Sequence, residues 1–378
     1  MRDLNPVGLH NWKKADGRSL YGNEMSPWDT YRYDYENPYI RRFLIDGIIT
    51  NMRDYGLSGI RFDNLDGIRF SKGGEAFLRE LMQEIRRVRP ETVSIAEMFF
   101  GESSVLRAQD KGGMGVDMRT HSNLFDFFKD YMQKSTDEIN MSVLKDAIRK
   151  PWEWNEIMRI LYITNHDEAA NRRDGATGAY VATLLKGDES SWHYVEKKTK
   201  AFASLARLIG TASLDMPQMR LLQEGTFYSN PGVDWGLRDK TSHHMIRDYF
   251  SNLAGAMKDK PAFAPQSLHP NIENHVDDGN KVISLLRIDY QTGKKYYSIV
   301  NLSHRGYENY SFGVDATNGG NFKILVDSDR SEFAGSHRLA NTVPGGSLGA
   351  DPHGEHGKPN SLRIPYLAPY GVILLEQQ

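Results

Sequence analysis

An α/β fold built on parallel strands, followed by a small antiparallel β domain, is what this sequence predicts, and three observations carry the expectation. From residue 38 onward helical and extended periodicities alternate. The strand-like runs are apolar on both faces, as strands covered by helices on each side must be. After about Pro265 the alternation gives way to short β-type runs separated by Gly, Asn, Asp and Pro. Residues 1–264 therefore read as the α/β portion and residues 265–378 as an all-β domain.

The elements follow in order. Asn37-Pro38 reads as an N-cap with proline at the first helical position, ahead of Ile40, Phe43, Leu44, Ile48, Met52 and Tyr55 at helical spacing and a closing Gly56. A strand is expected over 58–63, where alternation puts Ile60 and Phe62 on one face and Gly59, Arg61 and Asp63 on the other. A second amphipathic run (Phe77, Leu78, Leu81, Met82, Ile85, Val88) stops at Pro90, and TVSIAEM at 92–98 is the next strand, ending on a carboxylate. MGVDMR at 114–119 reads as a strand, Leu124 to Met132 as a helix, RILYITNHD at 159–167 as a strand, and Ala201 to Ile209 and Met245 to Met257 as helices. In the β domain VISLLRI, YYSIVNLS, NYSFGV, NFKILVDSD, SLRIPYL and GVILLE read as six strands of a sandwich. GGSLGADPHGEHGKPN at 345–360 reads as a solvated loop, its two histidines solvent-facing rather than metal-binding.

Composition narrows the function. The chain has 378 residues, 39% hydrophobic and 11% aromatic, enough for one large domain and a small one. A formal net charge of −2 offers no broad basic field, so neither nucleic acid nor an anionic membrane is expected as partner, and a neutral polar substrate fits better. The absence of cysteine excludes disulfides, thiolate nucleophiles and sulfur-based zinc sites. No run approaches the ~20 apolar residues of a membrane span, and MRDLNPVGLHNW has no signal-peptide pattern, so the cytoplasm is the expected location. A longer parent chain would carry any targeting signal in its lost N-terminus.

Functional groups of a parallel sheet gather at the carboxyl ends of its strands, and there this sequence places Asp63, Glu97 and Asp167, with room for one βα unit and then two between them. Carboxylates so placed suit chemistry on oxygen-rich neutral substrates. Retaining glycoside transfer needs an ionised carboxylate as nucleophile, a protonated carboxyl as acid and then base, and stabilisation of positive charge at the anomeric carbon. Arg61 would keep the nucleophile ionised. Glu97 would be the group held protonated by burial and nearby negative charge. His166 can hydrogen-bond sugar hydroxyls. Taken singly, Asp63 could instead be a helix cap, Glu97 a surface residue, Asp167 a cap for the AANRR stretch and His166 a core histidine. Asp66 is the rival nucleophile, although it lies beyond the strand.

These same residues resemble the α-amylase family of retaining glycosidases and transglycosylases. GIRFD at 59–63 is similar to its Gly-x-Arg-x-Asp motif, IAE at 95–97 to its glutamate motif and NHD at 165–167 to its last catalytic motif. The resemblance implies Asp63 as nucleophile, Glu97 as general acid/base and Asp167 as the charge-stabilising aspartate, with Arg61, Asn165 and His166 in support. IAEMFFGE followed by GGMGVDMR, together with LVDSDRSEFAGSHRL at 325–339, resembles α-1,4-glucan branching enzymes in particular. The implied fold is the latter part of a (β/α)8 TIM-type barrel followed by a C-terminal antiparallel β-sandwich. The implied partner is an α-1,4-glucan polysaccharide, such as starch or glycogen, whose cleaved end is passed to a 6-hydroxyl.

Departures accompany the likeness. Met98 stands where branching enzymes commonly have an acidic residue, Asp66-Gly67 stand where many amylases carry Lys-His, and DMPQMRLLQEGTF matches the eighth-strand motif only loosely. The family's first motif, Asp-x-x-x-x-His, has no counterpart before residue 28. A partial barrel would leave strand edges unpaired, so a missing N-terminal part or a second polypeptide is expected to complete it. Two rival readings remain: a hydrolase using the same carboxylates, and a non-catalytic glucan-binding protein. Trp28 and Phe99 are the preferred sugar platforms among Trp12, Tyr31, Phe100, Trp152, Trp154, Trp192 and Trp235, all read as loop residues. No cofactor is implied. Calcium occurs in some relatives, but no acidic cluster in the sequence demands it.

Overall fold

The structure, a computed structural model, describes residues 13, 15–17, 19, 21–26, 31–98, 103–120, 122–149, 159–170, 178–186, 191–210, 212–230, 232–264, 272–316 and 320–378. The chain divides into two compact units, one of residues 1–121 with 152–158 and one of residues 122–151 with 159–378.

In the first unit the helix Pro38–Tyr55 has the ends its sequence dictates. The Asn37 side chain accepts from the Tyr39 N–H at 3.1 Å, and Gly56 closes the helix at φ 66°, a left-handed conformation that glycine adopts without penalty. Strands Gly59–Phe62, Val93–Ala96 and Met118–Thr120 run parallel in that order, with Arg61 opposite Ile95 and Ala96 opposite Arg119. The helix Gly74–Val88 buries Phe77, Leu78, Leu81, Met82 and Ile85 in a core shared with Phe62, Leu65, Ala96 and Met98. Each such side chain contributes roughly 1.5–3 kcal/mol on burial. Arg86 on the same helix donates to Asp117 at 2.5 Å and to the Thr92 carbonyl at 2.5 Å, while Asp117 accepts from the N–H and hydroxyl of Ser94 at 2.8 and 2.6 Å. A helix, a strand end and the following loop are thereby fixed to one another.

In the second unit the strand Arg159–Leu161 pairs in parallel with Ala212–Ser213, and helices Ser122–Met132, Met141–Arg149, Trp192–Ile209 and Thr241–Met257 accompany them. The C-terminal region is one eight-stranded antiparallel sheet. It curls so that its two edge strands, Glu273–Asp277 and Tyr307–Val314, meet: Asn274 donates to the Gly313 carbonyl at 2.9 Å, and the Tyr310 hydroxyl donates to Asp277 at 3.2 Å. Tyr297, Ile299, Phe312, Phe322, Leu362, Ile364 and Leu375 fill the space enclosed.

Several expectations need correcting. The strand read over 159–167 ends at Leu161, and His166–Ala170 is a short helix instead. The strand read at 114–119 is shorter and later, Met118–Thr120. The helix read from Ala201 begins at Trp192, because the polar run Glu196 to Lys200 is buried against partners rather than solvated. The sheet has two strands more than the six expected, Glu273–Asp277 and Ser347–Asp351. The second lies inside the stretch read as a loop; apart from Leu348, its side chains are too polar or small to announce a strand. The histidines of that stretch face protein groups as well as solvent: His353 pairs with Asp351 at 2.6 Å, and His356 stacks on His275 at 3.6 Å between ring centroids.

Candidate active site

The strand Gly59–Phe62 presents alternating faces, with Phe62 buried inward and Arg61 turned outward. Backbone bonds stitch its end to the neighbouring strand: Glu97 N–H donates to the Phe62 carbonyl and Leu65 N–H to the Glu97 carbonyl, both at 3.0 Å. The chain then turns at Asn64, whose φ of 42° is left-handed, a conformation asparagine tolerates better than most residues. The Asn64 side chain caps the helix Leu65–Arg69 by accepting from Gly67 N–H at 3.2 Å. Asn64, not Asp63, is therefore the helix cap, and the Asp63 carboxylate is left 78% exposed.

Glu97 follows the strand Val93–Ala96 directly and is not a surface residue; its side chain is 8% exposed. One guanidinium serves both acids: Arg61 lies 2.9 Å from Asp63 Oδ1 and 2.7 Å from Glu97 Oε1. The Asn64 N–H donates to Glu97 Oε2 at 2.8 Å. Burial nevertheless pushes the Glu97 carboxyl above its ordinary range, with the Asn64 and Arg61 donors pulling it down and the Asp63 charge pushing it up.

Arg61, Asp63 and Glu97 thus form one constellation in the first unit. Asn165, His166 and Asp167 form a second group in the other. Asn165 is 8% exposed, and its side chain accepts from the Glu168 N–H at 2.9 Å, so it caps the helix that holds His166 and Asp167 in its first turn. His166 Nε2 lies 3.4 Å from Asp167 Oδ2, both side chains being about half exposed. Asp66, the rival acid, is buried in the helix after Asn64. Trp12, Trp28, Phe99, Phe100, Trp152 and Trp154 lie outside the described residues. Tyr31 is on a strand and Trp192 opens a helix, so neither is the loop residue expected, whereas Trp235 is 64% exposed on a short 3-10 turn. Sequence reasoning missed Asn64 as a donor to Glu97; an asparagine directly after the strand, three residues before a glycine, was the available signal. Among the described residues no three His, Asp or Glu side chains gather as a metal site would require.

Parallel strands flanked by helices, then an antiparallel C-terminal sheet, is the architecture of known α-amylases. The structure of α-amylase from Geobacillus thermoleovorans complexed with acarbose superposes on all of this chain, covering 73% of its own, at a TM-score of 0.66 and 13% identity. An Anoxybacillus α-amylase covers 93% of this chain and 65% of its own at a TM-score of 0.62 and 12% identity. Residues 272–378 match the family described as alpha amylase, C-terminal all-beta domain. The fold is thus that of α-amylase structures, and the C-terminal region matches that family's all-beta domain. In sequence the chain is similar to 1,4-alpha-glucan branching enzymes: 24% identical to GlgB 2 of Xanthomonas euvesicatoria over 99% of this chain and 52% of that protein. The enzyme of Aquifex aeolicus is 25% identical over 99% of this chain and 61% of its own length. The chain spans little more than half the length of the curated relatives it matches. No helix among the described residues is long and apolar enough to cross a membrane.

Proposed function

We propose that this chain carries the acid pair of a retaining α-glucan transglycosylase of the branching type. Asp63 would attack the anomeric carbon of an α-1,4-linked glucose while Glu97 gives its proton to the departing glycosidic oxygen. The fragment would then sit on Asp63 as a glycosyl ester. In the second half, Glu97 would take the proton from an acceptor 6-hydroxyl, whose oxygen displaces Asp63 and regenerates both groups. For Asp167, held with Asn165 and His166 in the second unit, the resemblance implies a charge-stabilising role.

The observation that supports this reading best is the unequal environment of two carboxyls on one guanidinium. Asp63 is exposed and paired with Arg61, while Glu97 is buried, and that burial pushes its carboxyl above the ordinary range, as a proton donor requires. The similarity to branching enzymes favours transfer to a sugar over transfer to water.

Incubation with amylose tests the proposal. New α-1,6 links without a matching rise in reducing ends are the expected product, and Asp63→Asn should lower the rate by at least ~10³-fold while glucan binding persists. Reducing ends alone would indicate the hydrolase. Glucan affinity without turnover, unaltered by Asp63→Asn, would indicate a binding protein.

A further inference from the structure

The division into compact units does not follow the sequence boundary near residue 264. The strand Arg159–Leu161, the helix Trp192–Ile209 and the segment bearing Asn165, His166 and Asp167 belong with the β domain. Two buried cations explain the attachment. Lys200, at the middle of the helix, donates to the carbonyls of Ser328 and Phe333 at 2.8 and 2.7 Å. Arg287, on the strand Val282–Ile288 and 3% exposed, reaches the helix end and donates to the carbonyls of Leu208, Ile209 and Gly210 at 2.7, 3.1 and 2.9 Å.

The last carbonyls of a helix have no partner within it and carry its negative dipole end, so a planar cation with fixed donors suits them. The site has a direct line onward. After Gly210 the chain enters the strand Ala212–Ser213 within two residues, and that strand pairs with Ile160 and Leu161, with Leu214 N–H donating to the Leu161 carbonyl at 3.0 Å. Gly210 also lies against this strand pair: a Cβ added there would stand 3.2 Å from Leu161 Cγ and 2.8 Å from the Ala212 carbonyl. Three residues separate Leu161 from Asn165.

We propose that Arg287 is a positioning residue: from the β domain it holds the C-terminal end of the helix Trp192–Ile209 and thereby fixes the strand pair from which the Asn165, His166, Asp167 segment springs. The β domain is then part of the apparatus that orients this segment. Only the kinetic consequence rests on the transglycosylase reading.

Hydrogen exchange on the full chain tests it, with Arg287→Met, Arg287→Lys and Gly210→Ala. In Arg287→Met, amides of 159–170 should exchange about tenfold faster or more, while the sheet strands Val282–Ile288 and Lys295–Asn301 keep their protection. Arg287→Lys, with one ammonium for three carbonyls, should recover part of the loss. Gly210→Ala should reproduce the exchange pattern without touching the arginine. On amylose, kcat should fall while KM stays within about twofold. Unchanged protection of 159–170 in Arg287→Met and Gly210→Ala, or loss only in step with the sheet, would overturn the proposal. If the unaltered chain does not turn over glucan, the functional reading fails and the exchange result still decides this one.

Discussion

Glu97 is where competing forces are most finely set against one another. Burial raises its pKa, Asn64 and Arg61 lower it and Asp63 raises it. The signs give a test that needs no substrate. Asp63→Asn removes a repelling charge, so the Glu97 titration should move down; Arg61→Gln removes an attracting one, so it should move up. Carboxyl-carbon NMR on labelled glutamate would follow both, and equal shifts in one direction would contradict the assignment. A second buried acid makes a separate prediction. Burial raises Asp327 to about 6 from an ordinary value of 3.8. The native state therefore holds this proton more tightly than the unfolded chain, and its contribution to stability is present below pH ~4 and lost as pH rises through about 6. Asp327→Asn can still accept from the Asp329 N–H, a bond of 2.9 Å in the native chain. It should stabilise the fold by roughly 3 kcal/mol at pH 7, with the gain vanishing below pH ~4, as read from denaturant melts across pH.

Among the elements, the helix Pro38–Tyr55 was legible from end to end because its signals are local: a cap, a proline, an apolar stripe and a left-handed glycine. Its cap can be measured. Asn37→Ala should cost about 1 kcal/mol in the stability of the first unit, and Asn37→Ser should restore most of it. The helix Trp192–Ile209 shows the opposite case. Its first half was lost to sequence reading because a run with three lysines and a glutamate looks solvated, yet Glu196, Lys197, Lys198 and Lys200 are all buried. Lys197 lies 3.6 Å from Asp329 and Lys200 bonds two carbonyls, partners more than a hundred residues away. No local pattern could reveal them. The strand Glu273–Asp277 escaped for the same reason, since it is held by Ser284, Gly313 and Tyr310 rather than by its own apolarity.

At the scale of the whole molecule, the strand Gly59–Phe62 has one paired neighbour among the described residues, Val93–Ala96. On the flanking helix and the turn after it, Tyr39, Phe43, Tyr55 and Leu57 are 82, 54, 76 and 41% exposed. A strand edge with no second partner among the described residues, beside exposed aromatics, is a template for association. We therefore propose that another polypeptide segment covers it. The isolated chain should associate as its concentration rises in sedimentation velocity, and Phe43→Glu with Tyr55→Glu should weaken that association. A monomer at every concentration, insensitive to those changes, would argue against an uncovered edge.

The sequence by itself determined the alternation of helices and parallel strands, the change to β structure, and the residues Arg61, Asp63 and Glu97, because strand periodicity and carboxyl-terminal position are properties of neighbouring residues. Only the tertiary structure decided that Arg61 serves both acids, that Asn64 rather than Asp63 caps the next helix, that the Asp167 motif opens a helix instead of ending a strand, and that this motif's supporting helix is anchored by Arg287 and Lys200. The first and last depend on which side chains meet across long separations and on how far water is excluded there, while the two caps turn on the backbone geometry adopted at Asn64 and Asn165. Chain spacing encodes none of these.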